Sequence, residues 1–373
     1  MKIVICGTGV IGMSCAYVLS QLGHEIVCVD SYKDIAMGTS RINGGLLCPG
    51  LTDPWTQNPS LFIKSLFQKT PAITVNVANF TNSFFWNWTY HWFSNINVDT
   101  SPAIRSLSNY SMECFDKKPF SNIHYKDYDR TAKGTLMLNN NKFENDSSGD
   151  ILKFCNKIKE NCPKIKYILN TNVKEICVEN NKVTGLKTDD GIIEGDIYIL
   201  ATGIGTTNIC KSINLNVPIY PVKGQLLTFT SSIKCDSNLE MQNKTFLSPL
   251  NDIYRASGFV DFEQPTLQNS QGDYNNIDMK RNGQLEMIIS NKFEDYNILN
   301  RSYGFRPLSP DDVPYIGRAG NYENLYVCAG HGSKGWTMAP GSAMLLKDII
   351  LGNNTIISAE PYDVNRFDIC KNK

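Results

Sequence analysis

The feature that most constrains this chain is a hexapeptide near its start, Gly7-Thr8-Gly9-Val10-Ile11-Gly12, set between a β-branched run and an apolar helical pattern. Lys2 to Cys6 reads as a short strand, and Ile11 to Leu22 carries apolar residues at helical spacing with Gly23 placed to end the helix. A second strand is expected from Glu25 to Asp30. Glycines at such a strand-to-helix turn let backbone N–H groups approach a pyrophosphate at the positive helix end. Gly7, Gly9, Val10, Ile11 and Gly12 are therefore candidate dinucleotide contacts. Asp30 ends the next strand, roughly 20 residues on, where a carboxylate accepts hydrogen bonds from ribose hydroxyls. The alternative is that the glycines serve only close helix–strand packing, which the strand, the helix and the terminal acid together disfavour.

These residues do not separate NAD from FAD, because both carry the same adenosine diphosphate half. Two further segments do. The loop Gly38 to Leu46 is rich in Gly and Ser, and its residues Ser40, Asn43, Gly44, Gly45 and Leu46 can lie against a flat ring or a phosphate. The run Asp196 to Gly203 reads as a buried strand ending in Ala201-Thr202-Gly203, a turn small enough for a second close approach. Together they favour FAD.

With 373 residues, 42% hydrophobic and 19% charged, the chain can bury one large core or two cooperating ones. Lys+Arg and Asp+Glu each total 36, so no basic excess draws the surface toward nucleic acid, and no nucleic-acid partner is expected. The 12 cysteines include no CxxC pair, and several sit inside apolar segments, which points to a reducing, cytoplasmic setting. Glycines interrupt the apolar N-terminus, so it reads as strand, turn and helix rather than a signal peptide. No window approaches the roughly 20 apolar residues of a membrane span. His24, His91 and His124 lack Cys, Asp or Glu partners at metal-ligand spacing, and no metal is expected.

Residues from about 51 to 145 break the pattern with clustered aromatics, Trp55, Phe84, Phe85, Trp86, Trp88, Trp92 and Phe93, and read as an insertion. The stretch Phe80 to Phe93 has two readings, a peripheral membrane contact or a core helix of the insertion. Strands are expected at Tyr167–Leu169, Val173–Val178, Val183–Thr188 and Ile197–Ala201, then through residues 220–289. From Tyr303 onward the expectation is a Pro/Gly-rich loop, a strand Leu325–Ala329, a glycine turn and a helix from about Met338 to Leu351.

The chain resembles the D-amino-acid oxidase-like flavoprotein family over nearly its full length, most closely the bacterial-type D-amino-acid dehydrogenases. The resemblance rests on GTGVIG with Asp30, on Gly38 to Gly50, and on the segments PWTQNPSLFIKSLFQ, WNWTYHWF and IYPVKGQLLT. Its most specific parts are Gly304 to Arg318 and Cys328 to Ile350. It implies an α/β fold with a Rossmann-like FAD domain from 1–50, 146–214 and 302–373. A substrate domain with a mixed sheet and helices would come from 51–145 and 215–301.

Carried over by position, Gly44, Gly45 and Leu46 would line the isoalloxazine, and Val173 would hold the adenine region through its backbone. Gly332, Gly335, Trp336, Thr337 and Met338 would bring a helix N-terminus against the flavin pyrimidine, where it stabilises negative charge on reduction. Arg306 matches the arginine that pairs with the substrate carboxylate, a task suited to its planar fork. His331, beside the flavin turn, and Tyr254 are further catalytic candidates; strand alternation turns either Tyr254 or Arg255 toward the pocket. The implied activity is oxidative deamination of D-amino acids to 2-oxo acids and ammonia, with noncovalent FAD. Hydride would pass from substrate Cα to flavin N5, and oxygen, a quinone or another carrier would serve as electron acceptor. The alternative substrates are glycine, sarcosine or proline-type amines. A NAD-dependent dehydrogenase and a flavin scaffold without turnover are the competing classes.

Overall fold

The computed structural model describes residues 1–54, 71–263 and 278–367. Trp55 and most of the PWTQNPSLFIKSLFQ segment lie outside them. Lys2–Cys6, Val10–Ser20 and Glu25–Val29 form the expected βαβ unit, and its strands belong to a six-stranded sheet. The order across that sheet is Tyr315–Arg318, Leu325–Ala329, Ile197–Leu200, Lys2–Cys6, Glu25–Val29 and Lys166–Ile168. All neighbours are parallel except Tyr315–Arg318, which runs antiparallel to Leu325–Ala329. A parallel sheet must be covered on both faces, and Ile3, Val4 and Ile5 are all fully buried.

Alternation along each strand feeds two cores. Ile3, Ile5, Cys28 and Ile199 face a helical layer of Val10–Ser20, Ser101–Phe115 and Gly335–Leu351. Val4, Val27, Tyr198 and Leu200 face the antiparallel strands Glu175–Glu179, Lys182–Thr188 and Gly191–Ile193 through Ile176, Val183 and Leu186. The insertion therefore contributes to the core beneath the six-stranded sheet, since Ile104 and Leu107 join it.

A second, eight-stranded sheet is mostly antiparallel and centres on Tyr220–Ser231, flanked by Tyr296–Leu308 and Ile253–Phe262. Two sequence expectations are corrected here. Residues 279–289 are not strand: Met279–Ser290 is a helix, capped by Asp278 accepting from the Arg281 N–H at 3.0 Å. Its buried Arg281, Asn282, Leu285, Ile288 and Ile289 follow the helical period, which the polar residues between them obscure. Nor does a loop begin at Tyr303, because Tyr296–Leu308 pairs along its length with Tyr220–Ser231. The domain boundary placed at 302 thus falls inside a strand of the second sheet.

The aromatic insertion forms the helix Ser83–Asn95. Phe85 and Trp88 pack against Tyr220 and Phe262, while Trp86, Tyr90 and Phe93 are exposed. No helix among the described residues is long and apolar enough to cross a membrane.

Candidate functional site

A cleft of about 2730 Å³ opens where the parallel strands end, lined there by Cys6, Val29, Ala201 and Ala329, and is faced by the second sheet. Open α/β sheets bind ligands at these carboxyl ends. The volume exceeds the 300–1,000 Å³ typical of a small-ligand pocket, leaving room for a dinucleotide and a second molecule.

At one end the glycine turn is built as its sequence requires. Gly7 has φ +105°, a conformation that side chains rarely adopt, and its N–H donates to the Val29 carbonyl at 2.8 Å. A Cβ on Gly12 would run into the Gly7 carbonyl oxygen, so this glycine lets the helix sit on the strand and does not itself line the cleft. Gly9 is the helix N-cap and supplies no side chain, leaving that N-terminus open to an anion. The Ser40 hydroxyl accepts the Val10 N–H at 2.9 Å, fastening the Gly38–Leu46 loop to the same helix end. Asp30 accepts from the Thr8 N–H and hydroxyl, both at 2.6 Å, and lies on the cleft wall. Val173, Ala201, Thr202 and Gly203 complete that wall.

At the other end the loop Asn43–Leu46 faces the turn Gly330–Trp336. The Asn43 side chain accepts the Gly45 N–H at 2.6 Å, and Gly45, at φ +87°, turns its carbonyl to the Gly149 N–H at 2.8 Å. Asn43, Gly44 and Leu46 line the cleft, whereas Gly45 backs the loop. The Gly335–Leu351 helix starts without a side-chain cap, and Gly332, Gly335 and Trp336 line the cleft beside it. Lys334 is buried in this turn and pairs with the buried Asp312 at 2.6 Å, a feature visible in sequence only as a lone charge among glycines.

Arg306 projects from Tyr296–Leu308 into the cleft. Its Nη1 donates to the Phe259 carbonyl at 2.7 Å. Phe259 has φ +63°, unusual for a bulky residue, at an irregularity where Tyr220–Ser231 pairs with Ile253–Phe262. Gly224, opposite, leaves room for the guanidinium, since a Cβ there would strike it. Burial lowers the Arg306 pKa, and the charge of Asp261 works against that shift. Asp261 is itself engaged by Arg281 and Thr74. Among the described residues no carboxylate lies within ion-pairing distance of Arg306.

Other sequence candidates are placed elsewhere. The Thr337 hydroxyl accepts the Cys48 N–H at 3.0 Å, Met338 is fully buried in the helical core, and neither lines the cleft. Tyr254 faces the far side of the second sheet, packed on Phe229 and Phe293, with its hydroxyl held by the Cys235 N–H and Ile233 carbonyl. The structure does not bring it to the cleft. Strand alternation instead turns Arg255 and Ser257 toward the Asn43–Gly44 loop, and sequence alone left the facing side open. His331 borders the cleft, but its Nε2 meets the Ser342 hydroxyl at 3.0 Å, and burial pushes its pKa down to about 3. It is neutral in ordinary buffers. Cys48 also borders the cleft, and burial pushes its thiol up to about 12.

An open helix N-terminus, a glycine cradle, an acid at the second strand end and a second uncapped helix at the far end define a dinucleotide-binding protein of the α/β class. The features fit an extended cofactor with a phosphate-rich middle and a ring at one end. The chain belongs to the DAO family of FAD-dependent oxidoreductases, whose model matches residues 2–152 and 150–349. Similar solved structures include a glycine oxidase from Bacillus cereus ATCC 14579, with 18% identity over 95% of this chain and 98% of that one and a TM-score of 0.70. An L-proline dehydrogenase from P. horikoshii is 19% identical over 98% of this chain and 97% of that one, at a TM-score of 0.68. An L-amino acid deaminase from Proteus vulgaris is 14% identical over 98% and 97%, at 0.66. At such identities the likeness is one of fold.

Proposed function

We propose that this FAD-dependent oxidoreductase oxidises the carbon–nitrogen bond of a small amino acid, most closely a D-amino acid. The observation that carries the proposal is Arg306, a cation presented to the cleft without a carboxylate partner among the described residues. A half-buried guanidinium with donors to spare is a site for a carboxylate, and its fork can take two oxygens at once. The Phe259 carbonyl holds one side of the fork, so a bound amino acid would be held by its carboxylate in the cleft that Asn43, Gly44 and Leu46 also line.

FAD, when bound, supplies the two-electron acceptor for the hydride leaving Cα. Gly7, Gly9 and Asp30 would hold its adenosine diphosphate half, and the Asn43–Leu46 loop and the Gly335 helix N-terminus its ring. The amine proton leaves to solvent in this reading; burial makes His331 a weak base, and its Nε2 is engaged with Ser342. Water then converts the imine to a 2-oxo acid and ammonia, and oxygen, a quinone or another carrier takes the electrons onward. The preference for D-isomers rests on the resemblance to bacterial D-amino-acid dehydrogenases. The glycine oxidase and L-proline dehydrogenase of similar fold favour glycine and proline-type amines as the second substrate class.

The test is anaerobic mixing of the FAD-loaded protein with D- and L-amino acids, glycine, sarcosine and proline while flavin absorbance is followed. Fastest bleaching is expected with a small or medium D-isomer. Bleaching by L-isomers alone would overturn the stereochemical proposal, and fastest bleaching by glycine or sarcosine would select the second reading.

A further inference from the structure

Arg255 does not line the cleft, yet it is tied to both structures that shape its ring end. Its Nη1 donates to the Asn43 carbonyl at 3.3 Å, and its Nη2 to Asp150 Oδ2 at 2.9 Å. Both charged side chains are largely buried, at 14% and 10% exposure, so the pair is not a screened surface contact. Asp150 is fixed in turn. Its other oxygen caps the helix Ile151–Asn161 through the Lys153 N–H at 3.0 Å, and its own N–H donates to the Tyr128 carbonyl at 2.7 Å.

The Asn43 peptide that Arg255 holds belongs to the residue whose side chain accepts the Gly45 N–H. Leu46 and Leu47 then pair with Ser148 and Ser147, two and three residues before Asp150. Two residues along the same strand face, Ser257 abuts Gly44 so closely that a Cβ there would collide with its hydroxyl. The loop is therefore pressed between the second sheet and the cleft, with Arg255 bridging its carbonyl to the cap of a helix beneath the first sheet.

We propose that Arg255 is a positioning residue for the cofactor: by joining the Asn43 carbonyl to Asp150 it holds the Asn43–Leu46 loop in the form that receives the flavin ring. The proposal rests on that loop facing the ring. It does not depend on which amine is oxidised. The planar fork reaches the two oxygens from separate nitrogens in a fixed geometry, whereas a lysine must reach both from one nitrogen on a shorter stem.

The test compares Arg255→Lys, Arg255→Met and Asp150→Ser, the last keeping a good helix cap while removing the anchor. Measured for each are FAD affinity by titration of apo-protein, the visible flavin spectrum, and apo-protein Tm. Arg255→Lys is expected to keep a near-native Tm but bind FAD about tenfold more weakly, with an altered spectrum. Asp150→Ser should weaken FAD similarly, and Arg255→Met by more. Should Arg255→Met fail to fold, the other two decide. FAD affinity within about twofold of wild type and an unchanged spectrum in Arg255→Lys and Asp150→Ser would overturn the proposal, whatever happens to Tm. These readouts need no substrate, so a failure of amino-acid bleaching leaves them untouched and bears on the proposed function alone.

Discussion

Replacing Arg306 by Met separates substrate anchoring from folding. Of the five N–H donors on a guanidinium, one is spent on the Phe259 carbonyl, leaving an edge able to grip both oxygens of a carboxylate. Each charge-assisted hydrogen bond is worth about 1.5–3 kcal/mol. Offsetting part of that by desolvation of the ligand gives a net loss of about 3 kcal/mol, or on the order of a hundredfold in substrate dissociation constant. Folding should not suffer. Burial lowers the Arg306 pKa, so the folded state disfavours its charged form, and this penalty applies at every pH below the arginine range. Removing the charge lifts that penalty but also removes the bond to the Phe259 carbonyl, worth about 1 kcal/mol, so apo-protein Tm should change little. The assay is anaerobic flavin reduction against substrate concentration, which yields the dissociation constant separately from the limiting rate, with FAD affinity and Tm measured alongside. A dissociation constant within twofold of wild type would refute the carboxylate-anchor reasoning, and a sharp fall in Tm would refute the electrostatic part.

Three further outcomes follow from the geometry. His331 has its folded pKa depressed to about 3, so its contribution to stability is present above the unfolded value near 6.5 and is lost as pH falls from there toward 3; His331→Gln should flatten that acid limb in Tm measured from pH 7 to pH 4. Gly9→Ala, whose Cβ would sit 3.2 Å from Ser40 Oγ, should fold yet lose most FAD affinity, whereas Gly12→Ala should lower apo-protein stability by about 1–3 kcal/mol or more, read by urea unfolding. Asp312→Asn strands the buried Lys334 ammonium beside the Gly335 helix and should cost about 3–5 kcal/mol; a change below about 1 kcal/mol would mean that water reaches the pair.

The first βαβ unit was legible because its signals are local: a β-branched run, a glycine turn, a helical stripe and a terminal acid within the first 30 residues. Cleft residues on that unit and on the Ala201–Gly203 turn were legible for the same reason. The helix Met279–Ser290 was not, because its buried face carries Arg281 and Asn282, whose partners Asp261 and Gln225 are distant in sequence. The strand at Tyr296–Leu308 was hidden by its Gly304 and Pro307, which pair with Gly224 and Pro221 of the neighbouring strand. Tyr254 and Arg255 show the limit of alternation: it says that they point oppositely, and only packing against Phe229 and Phe293 says which way. Thr337 and Met338 lie where helix phase turns them inward, a rotation that a motif does not encode.

The cleft wall draws on stretches from Cys6 through Asp30, Ser40, Val173, Gly203 and Arg306 to Trp336, so almost the whole polypeptide must be assembled before any of it can grip a ligand. Occupancy is then coupled to the integrity of both sheets at once. At a hundredfold excess over its dissociation constant, a ligand adds about 2.7 kcal/mol to the folded state by mass action. Here that increment is spread across every stretch it touches, and protection from proteolysis on loading should extend along the chain instead of gathering at one loop.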